Sequence, residues 1–225
     1  MTSLVVAPQA CLFVLSGPCG TGKTSLAEAW RKAEPELGYT RSVTTRDRRP
    51  GEPDHYDRVE RSEFERMIAD AAFVQWIRPT YDEYYGTLRA PIDAAISEGR
   101  DMVFDYCPEG TLNLLRVYTK HVVPIWIMAP TVAAMRDRLR GRGTESTDEQ
   151  EQRHAMALAD FNFVDMHRYH VINDDFDSAL ATLRAIRLAE RARLDRQPAA
   201  RDQYAAAASP ALLRYYAPVE SASGQ

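Results

Sequence analysis

The sequence predicts an α/β fold in which helices cover both faces of a central parallel sheet and one connection is expanded into an inserted lobe. Three observations predict it. Short apolar runs of strand length recur along the chain, each followed by a helical pattern. The first run, Cys11–Leu15, passes through Ser16 into a glycine-rich turn that opens straight into a helix. Residues 39–98 then differ in character, being rich in arginine, threonine, tyrosine and proline.

The elements follow in order. Strand Cys11–Leu15 leads to a helix over Lys23–Ala33. Within the lobe, Ser62 and Glu65 have capping-box spacing and predict a helix through about Ala71, and Phe73–Trp76 reads as a strand. Gly99 stops a helix, after which Met102–Phe104, Val122–Met128 and His170–Ile172 supply three more strands. The glycine- and arginine-rich segment at Leu139–Ser146 is a candidate lid spanning residues 139–153, and Thr147 with Gln150 forms a second capping box beyond it. A last helix starts near Phe176 and continues past Arg187. Beyond Arg196 alanine, proline, serine and glutamine dominate, which predicts a poorly ordered extension within residues 191–225, with Tyr204, Tyr215 and Tyr216 as the side chains able to dock it. The core is therefore residues 10–38 and 99–190, and the lobe is residues 39–98.

Composition bounds the function. At 225 residues and 45% hydrophobic, the chain can bury one sizeable core. A net charge of −4, with acids and bases interleaved, lacks the basic footprint of a nucleic-acid binder. No apolar run approaches the roughly 20 residues that span a bilayer, and no basic leader precedes the first strand. Cys11, Cys19 and Cys107 fit neither a disulfide framework nor a zinc site, so reduced thiols and a cytoplasmic protein, monomer or homodimer, are expected. His167 and His170 lack a third ligand and are assigned no metal.

The turn after the first strand carries the chemistry. Gly17, Pro18, Cys19, Gly20, Thr21, Gly22, Lys23 and Thr24, followed by Ser25, satisfy the Walker A pattern in its required setting, strand before and helix after. Its glycines let successive backbone N–H groups face phosphate oxygens, and the helix adds the positive end of its dipole. Lys23 is expected to bridge the β- and γ-phosphates of ATP, with the Thr24 hydroxyl on Mg²⁺. A P-loop NTPase three-layer fold follows.

Further motifs lie downstream in fixed order: Ser42-Val-Thr-Thr-Arg-Asp-Arg-Arg-Pro-Gly-Glu52, Tyr84-Tyr-Gly-Thr87, Arg138-Leu-Arg-Gly-Arg-Gly-Thr-Glu145, Arg153, and Val171-Ile-Asn-Asp-Asp175. Together they resemble the guanylate kinase family over about Cys11–Leu188. The resemblance implies ATP-dependent phosphorylation of a nucleoside monophosphate, GMP or dGMP. It implies that Arg46 and Arg49 clamp the acceptor phosphate, aided by the hydroxyls of Tyr56 and Tyr85, while Ser42 and Thr87 contact the base. Guanidinium forks suit this task because they hold oxyanions bidentately and offset repulsion between two phosphates. The likeness also implies that Arg142 and Arg153 join Lys23 and Mg²⁺ at the transferring phosphoryl group, that Asp105 lies beside the metal or acceptor, and that Asn173 lies on the adenine side of ATP.

Two positions depart from the family pattern. Gln75 and Cys107 stand where the resemblance leads one to expect acidic residues that accept the paired donors of guanine. They are expected to be acceptor-binding positions of a reshaped pocket. Two alternatives therefore stay open: a kinase with another acceptor, nucleotide or sugar phosphate, and a non-catalytic interaction module.

Overall fold

A computed structural model describes residues 9–48, 56–78, 83–140 and 154–207. Strands β1 (Leu12–Ser16), β6 (Met102–Asp105), β7 (Val122–Met128) and β8 (Tyr169–Ile172) form a parallel sheet in the order β6-β1-β7-β8. These are the four strands expected from the apolar runs. All five residues of β1 are buried, because it has a neighbour on each side and helices over each face.

Alternation along β1 divides the core in two. Phe13 and Leu15 pack with Leu26 and Trp30 of α1 (Lys23–Ala33) and with Ala179, Leu183 and Ile186 of α6 (Phe176–Ala192). Leu12 and Val14 face the other way, onto Ile92 of α3 (Arg89–Ser97) and Leu114 of α4 (Pro108–Val117). The buried positions of α1 and α6 recur at helical spacing, and the Asp175 carboxylate caps α6 by accepting from Ser178 N at 2.8 Å.

The inserted lobe has its own sheet, ordered β3-β2-β5-β4, from β2 (Ser42–Thr44), β3 (Tyr56–Arg58), β4 (Phe73–Ile77) and β5 (Tyr85–Leu88). Its core is aromatic: Phe64 of α2 (Arg61–Ala69) stacks on Phe73 at 4.5 Å and meets Tyr84 at 5.1 Å. Here the first capping box fails. Glu60 is the N-cap, with no side-chain cap, Ser62 lies inside the helix, and Glu65 pairs with Arg61 at 2.9 Å instead. The second box, Thr147 with Gln150, lies outside the described residues, as do residues 141–153 of the expected lid and Arg140's side chain in α5 (Val132–Arg140).

Helix α6 passes Arg187, as its pattern predicts, and two buried carboxylates fasten it. Asp101, at the foot of β6, accepts from Cys11 N (2.9 Å), Arg187 (2.9 Å) and Arg191 (2.8 Å). Glu190, fully buried, accepts from Tyr169 (2.8 Å), Arg168 (3.2 Å) and Arg196 (2.9 Å). These bonds tie the helix to the N-terminal ends of the sheet strands. Beyond Arg196, a helix α7 (Pro198–Ala207) replaces the expected disorder over the described part, and Tyr204 on it is 69% exposed. Tyr215 and Tyr216 lie outside the described residues. Among the described residues no helix is long and apolar enough to cross a membrane.

Candidate active site

The glycine-rich loop joins the C-terminal end of β1 to α1. Gly17 and Gly22 have φ of 129° and 89°, in the region that L side chains avoid. A Cβ on Gly17 would lie 2.7 Å from Ile127 O, and one on Gly22 would strike the Asn173 amide. Glycine is thus needed at both for conformation and for space. The loop also holds itself: the Thr21 hydroxyl donates to Pro18 O at 3.0 Å, and Lys23 Nζ donates to Gly17 O and Pro18 O, each at 2.7 Å.

Burial lowers the pKa of Lys23, with nearby Asp105 and Asp160 opposing the shift. Asp160 belongs to a 3-10 segment, Asp160–Met166, and burial pushes its carboxyl up to about 6 against the pull of Lys23. Exposed Cys19 lies in the loop, where its thiol is open to solvent. Ser25 follows in the first turn of α1.

Asn173 is buried directly beneath the loop. Its backbone N–H donates to Met128 O at 2.7 Å and its side-chain amide donates to Thr21 O at 2.8 Å. The side chain expected on the adenine side of the nucleotide is therefore also a brace for the loop.

Thr24 Oγ1 donates to Asp105 Oδ2 at 2.6 Å, bringing together the two oxygen-bearing groups expected near a metal. Asp105 ends β6 and also lines a cleft of about 140 Å³ between sheet and lobe. Ser42, Tyr56, Gln75, Tyr85 and Cys107, all expected at the acceptor site, line that same cleft. Thr87 lies just behind it, fully buried, accepting from Gln75 Nε2 at 2.9 Å.

Arg46 is 7% exposed, unusual for an arginine and inconsistent with a solvated basic run. Its guanidinium lies over the Tyr56 ring at 5.5 Å, and Tyr56 meets Tyr85 edge-on at 5.8 Å. The Tyr85 hydroxyl donates to Glu83 at 3.1 Å, and burial pushes the phenol up to about 12. Three of the four expected phosphate-clamp groups thus form one cluster. The fourth, Arg49, lies outside the described residues, as do Arg142 and Arg153.

Two residues of the site escaped the sequence reading. Asp160 approaches Lys23 electrostatically, and Tyr106 places its phenol against Thr87 at 2.6 Å while lining the cleft. A lone tyrosine after a strand carries no motif, and nothing local marks Asp160.

Strand, glycine loop and helix beside a cleft between sheet and lobe define a P-loop fold. The guanylate kinase family model matches residues 9–190. The chain is 38% identical over 190 residues to the guanylate kinase of Caldanaerobacter subterraneus subsp. tengcongensis, covering 84% of this chain and 91% of that one. To that of Rhizobium meliloti it is 36% identical over 200 residues, covering 88% and 91%. Its fold resembles the crystal structure of guanylate kinase from Anaplasma phagocytophilum, with a TM-score of 0.68 over 84% of this chain and 90% of that one, at 24% identity. The chain belongs to the guanylate kinase family, a family of phosphotransferases.

Proposed function

We propose that this protein transfers the γ-phosphate of ATP to GMP, giving ADP and GDP. One observation carries the reading: Asp105 both accepts from Thr24 of the glycine loop and lines the acceptor cleft, so donor and acceptor sites meet at a single carboxylate. Phosphoryl transfer asks the protein mainly for positioning and charge neutralisation. The loop N–H groups and Lys23 hold the donor phosphates. Arg46, with Tyr56 and Tyr85, holds the acceptor phosphate and offsets its repulsion from the donor.

Thr24 and Asp105 present a hydroxyl and a carboxylate side by side, the hard oxygen donors that Mg²⁺ prefers, and would hold it directly or through water. Bound Mg²⁺ neutralises charge on the phosphate oxygens. Arg49, Arg142 and Arg153 complete the phosphate contacts in this reading, the last two carried by a lid of residues 139–153 that excludes water. The division into core, lobe and lid, a cytoplasmic location and a monomeric or homodimeric state belong to the same proposal, with free nucleotides rather than nucleic acid or membrane as partners.

A coupled ADP-release assay with GMP, dGMP, IMP, AMP and pyrimidine monophosphates tests it. Turnover of GMP supports the reading, whereas robust turnover of another acceptor with none of GMP would sink it. Gln75 and Cys107 favour a second reading, a kinase of a different acceptor, which that panel also tests. Loss of ATP binding in Lys23→Ala, with no turnover of any acceptor by the parent, would point instead to a non-catalytic module.

A further inference from the structure

A cationic cavity opens at the end of the sheet remote from the glycine loop. Gln9, Lys120 and Arg168 come just before β1, β7 and β8, whereas the loop leaves the C-terminal end of β1. The length of β7, about 20 Å, separates the two ends. The cavity measures about 480 Å³ and is lined by Lys120, Arg168, Arg193, Arg196 and Arg201, with Asp195 the one carboxylate among the described residues on its wall. This charge exceeds what the fold needs. Buried Glu190 is met by three guanidinium groups, those of Arg168 (3.2 Å), Arg193 (3.5 Å) and Arg196 (2.9 Å). Asp195 takes Arg193 at 2.7 Å, and Asp202 takes Arg201 at 3.0 Å. The Lys120 carbonyl accepts from Arg196 at 3.1 Å, but the Lys120 ammonium makes no hydrogen bond or ion pair among the described residues. Five cations thus face three carboxylates. Arg196 is 3% exposed, with Nε spent on Glu190 and Nη1 on the Lys120 carbonyl. Its Nη2 makes no hydrogen bond among the described residues and is not sealed from solvent, so it opens on the cavity that the residue lines. A nearly buried guanidinium with an unused nitrogen there is a donor held ready for an anion. Helix α7 begins at Pro198 on the same wall, so the positive end of its dipole adjoins the cavity.

We propose that this cavity binds a diphosphate or triphosphate chain at a second site, separate from the glycine loop, with Arg196 as its buried anchor and Lys120, Arg168 and Arg201 as its rim. An excess of two positive charges suits a multiply charged anion over a monoanion. Guanidinium forks at several points suit phosphates joined in a chain. An enclosure of this size favours a small ligand over a nucleic-acid strand, which tracks an elongated groove furnished with stacking aromatic rings. Free pyrophosphate and the tail of a nucleotide share this chemistry. The site uses none of the residues assigned to ATP or GMP, so it stands whether or not GMP is the acceptor.

Isothermal titration calorimetry with inorganic pyrophosphate, in magnesium-free buffer at physiological ionic strength, tests it in Lys23→Ala, which weakens the competing glycine loop. Pyrophosphate should bind, and adding Lys120→Ala with Arg201→Ala, both at exposed positions, should weaken it by about tenfold or more. In the parent chain the same titration should show a second binding event, lost in Lys120→Ala with Arg201→Ala. Thermal unfolding gives an independent readout, because a ligand of the folded state raises the melting temperature and the two substitutions should remove most of that rise. ADP, titrated into Lys23→Ala, separates the sources. Binding tighter than that of pyrophosphate assigns the site to a nucleotide, and binding no tighter assigns it to the phosphate chain alone. Three results would overturn the proposal: pyrophosphate binding indifferent to the two substitutions, orthophosphate or malonate bound as tightly as pyrophosphate, or a single-stranded RNA bound more tightly than pyrophosphate through the same two residues.

Discussion

The Thr24 hydroxyl donates to the Asp105 carboxylate across 2.6 Å, joining two residues 81 positions apart in the chain. The bond orients an oxygen from the first turn of α1 towards one at the end of β6. Asp105→Asn keeps the shape and removes the charge. The Mg²⁺ concentration giving half-maximal ADP release should rise by about 10- to 100-fold. An unchanged Mg²⁺ titration would remove Asp105 from the metal's surroundings.

Restoring negative charge to the base pocket should sharpen it for guanine. Gln75→Glu with Cys107→Asp provides acceptors for N1–H and the 2-amino group together, and a matched buried contact is worth about 1–3 kcal/mol. The ratio of kcat/KM for GMP to that for IMP should rise by about 10- to 100-fold. Steady-state assays on both acceptors check it, and a flat ratio would detach these positions from the base.

Asp160 makes stability depend on pH. Its folded pKa, about 6, lies above the ordinary 3.8. The folded state therefore holds this proton more tightly than the unfolded chain, so the stabilising contribution is full below about pH 4 and is lost as pH rises through 6. Asp160→Asn should melt at a higher temperature than the parent at pH 7.5 and converge on it near pH 4. Thermal unfolding monitored by circular dichroism at the two pH values decides the matter.

Asp101 is one of the two buried carboxylates that fasten the last long helix. Asp101→Ala leaves the Arg187 and Arg191 guanidinium groups without this carboxylate and the buried Cys11 N–H without an acceptor. Removing one partner from such a network costs about 3–5 kcal/mol. Urea unfolding should report a loss of that size, and a loss below about 1 kcal/mol would mean that Glu34 and Glu36, which also pair with Arg187, and Glu190 hold the helix without Asp101.

The helices and sheet strands of the core were largely legible because their signals are local. The continuous apolar run Cys11–Leu15, buried throughout, and the glycines of residues 17–22 declare strand and loop without help from the rest of the chain. The clustering of Ser42, Tyr56, Gln75, Tyr85, Asp105 and Cys107 on one cleft was legible through family motifs, since no spacing rule joins positions so far apart. Short-range rules failed where tertiary or competing contacts dominate. Glu65 prefers the Arg61 guanidinium to the backbone N–H that a capping box requires. The alanine-rich end was expected to be disordered although alanine is the best helix former and Pro198 suits a first helical position, two signals outweighed in the reading by overall composition. Asp160 and Tyr106 owe their properties to burial and to partners that only the folded chain supplies.

The bond from Asn173 to Thr21 O spans 152 positions. During synthesis the glycine loop is made before its brace, which at about 5–20 residues per second follows roughly 10–30 s later. Asp101 likewise waits for Arg187 and Arg191 before its charge is matched. A product shortened before Asn173 therefore carries the loop sequence without the bond that braces it.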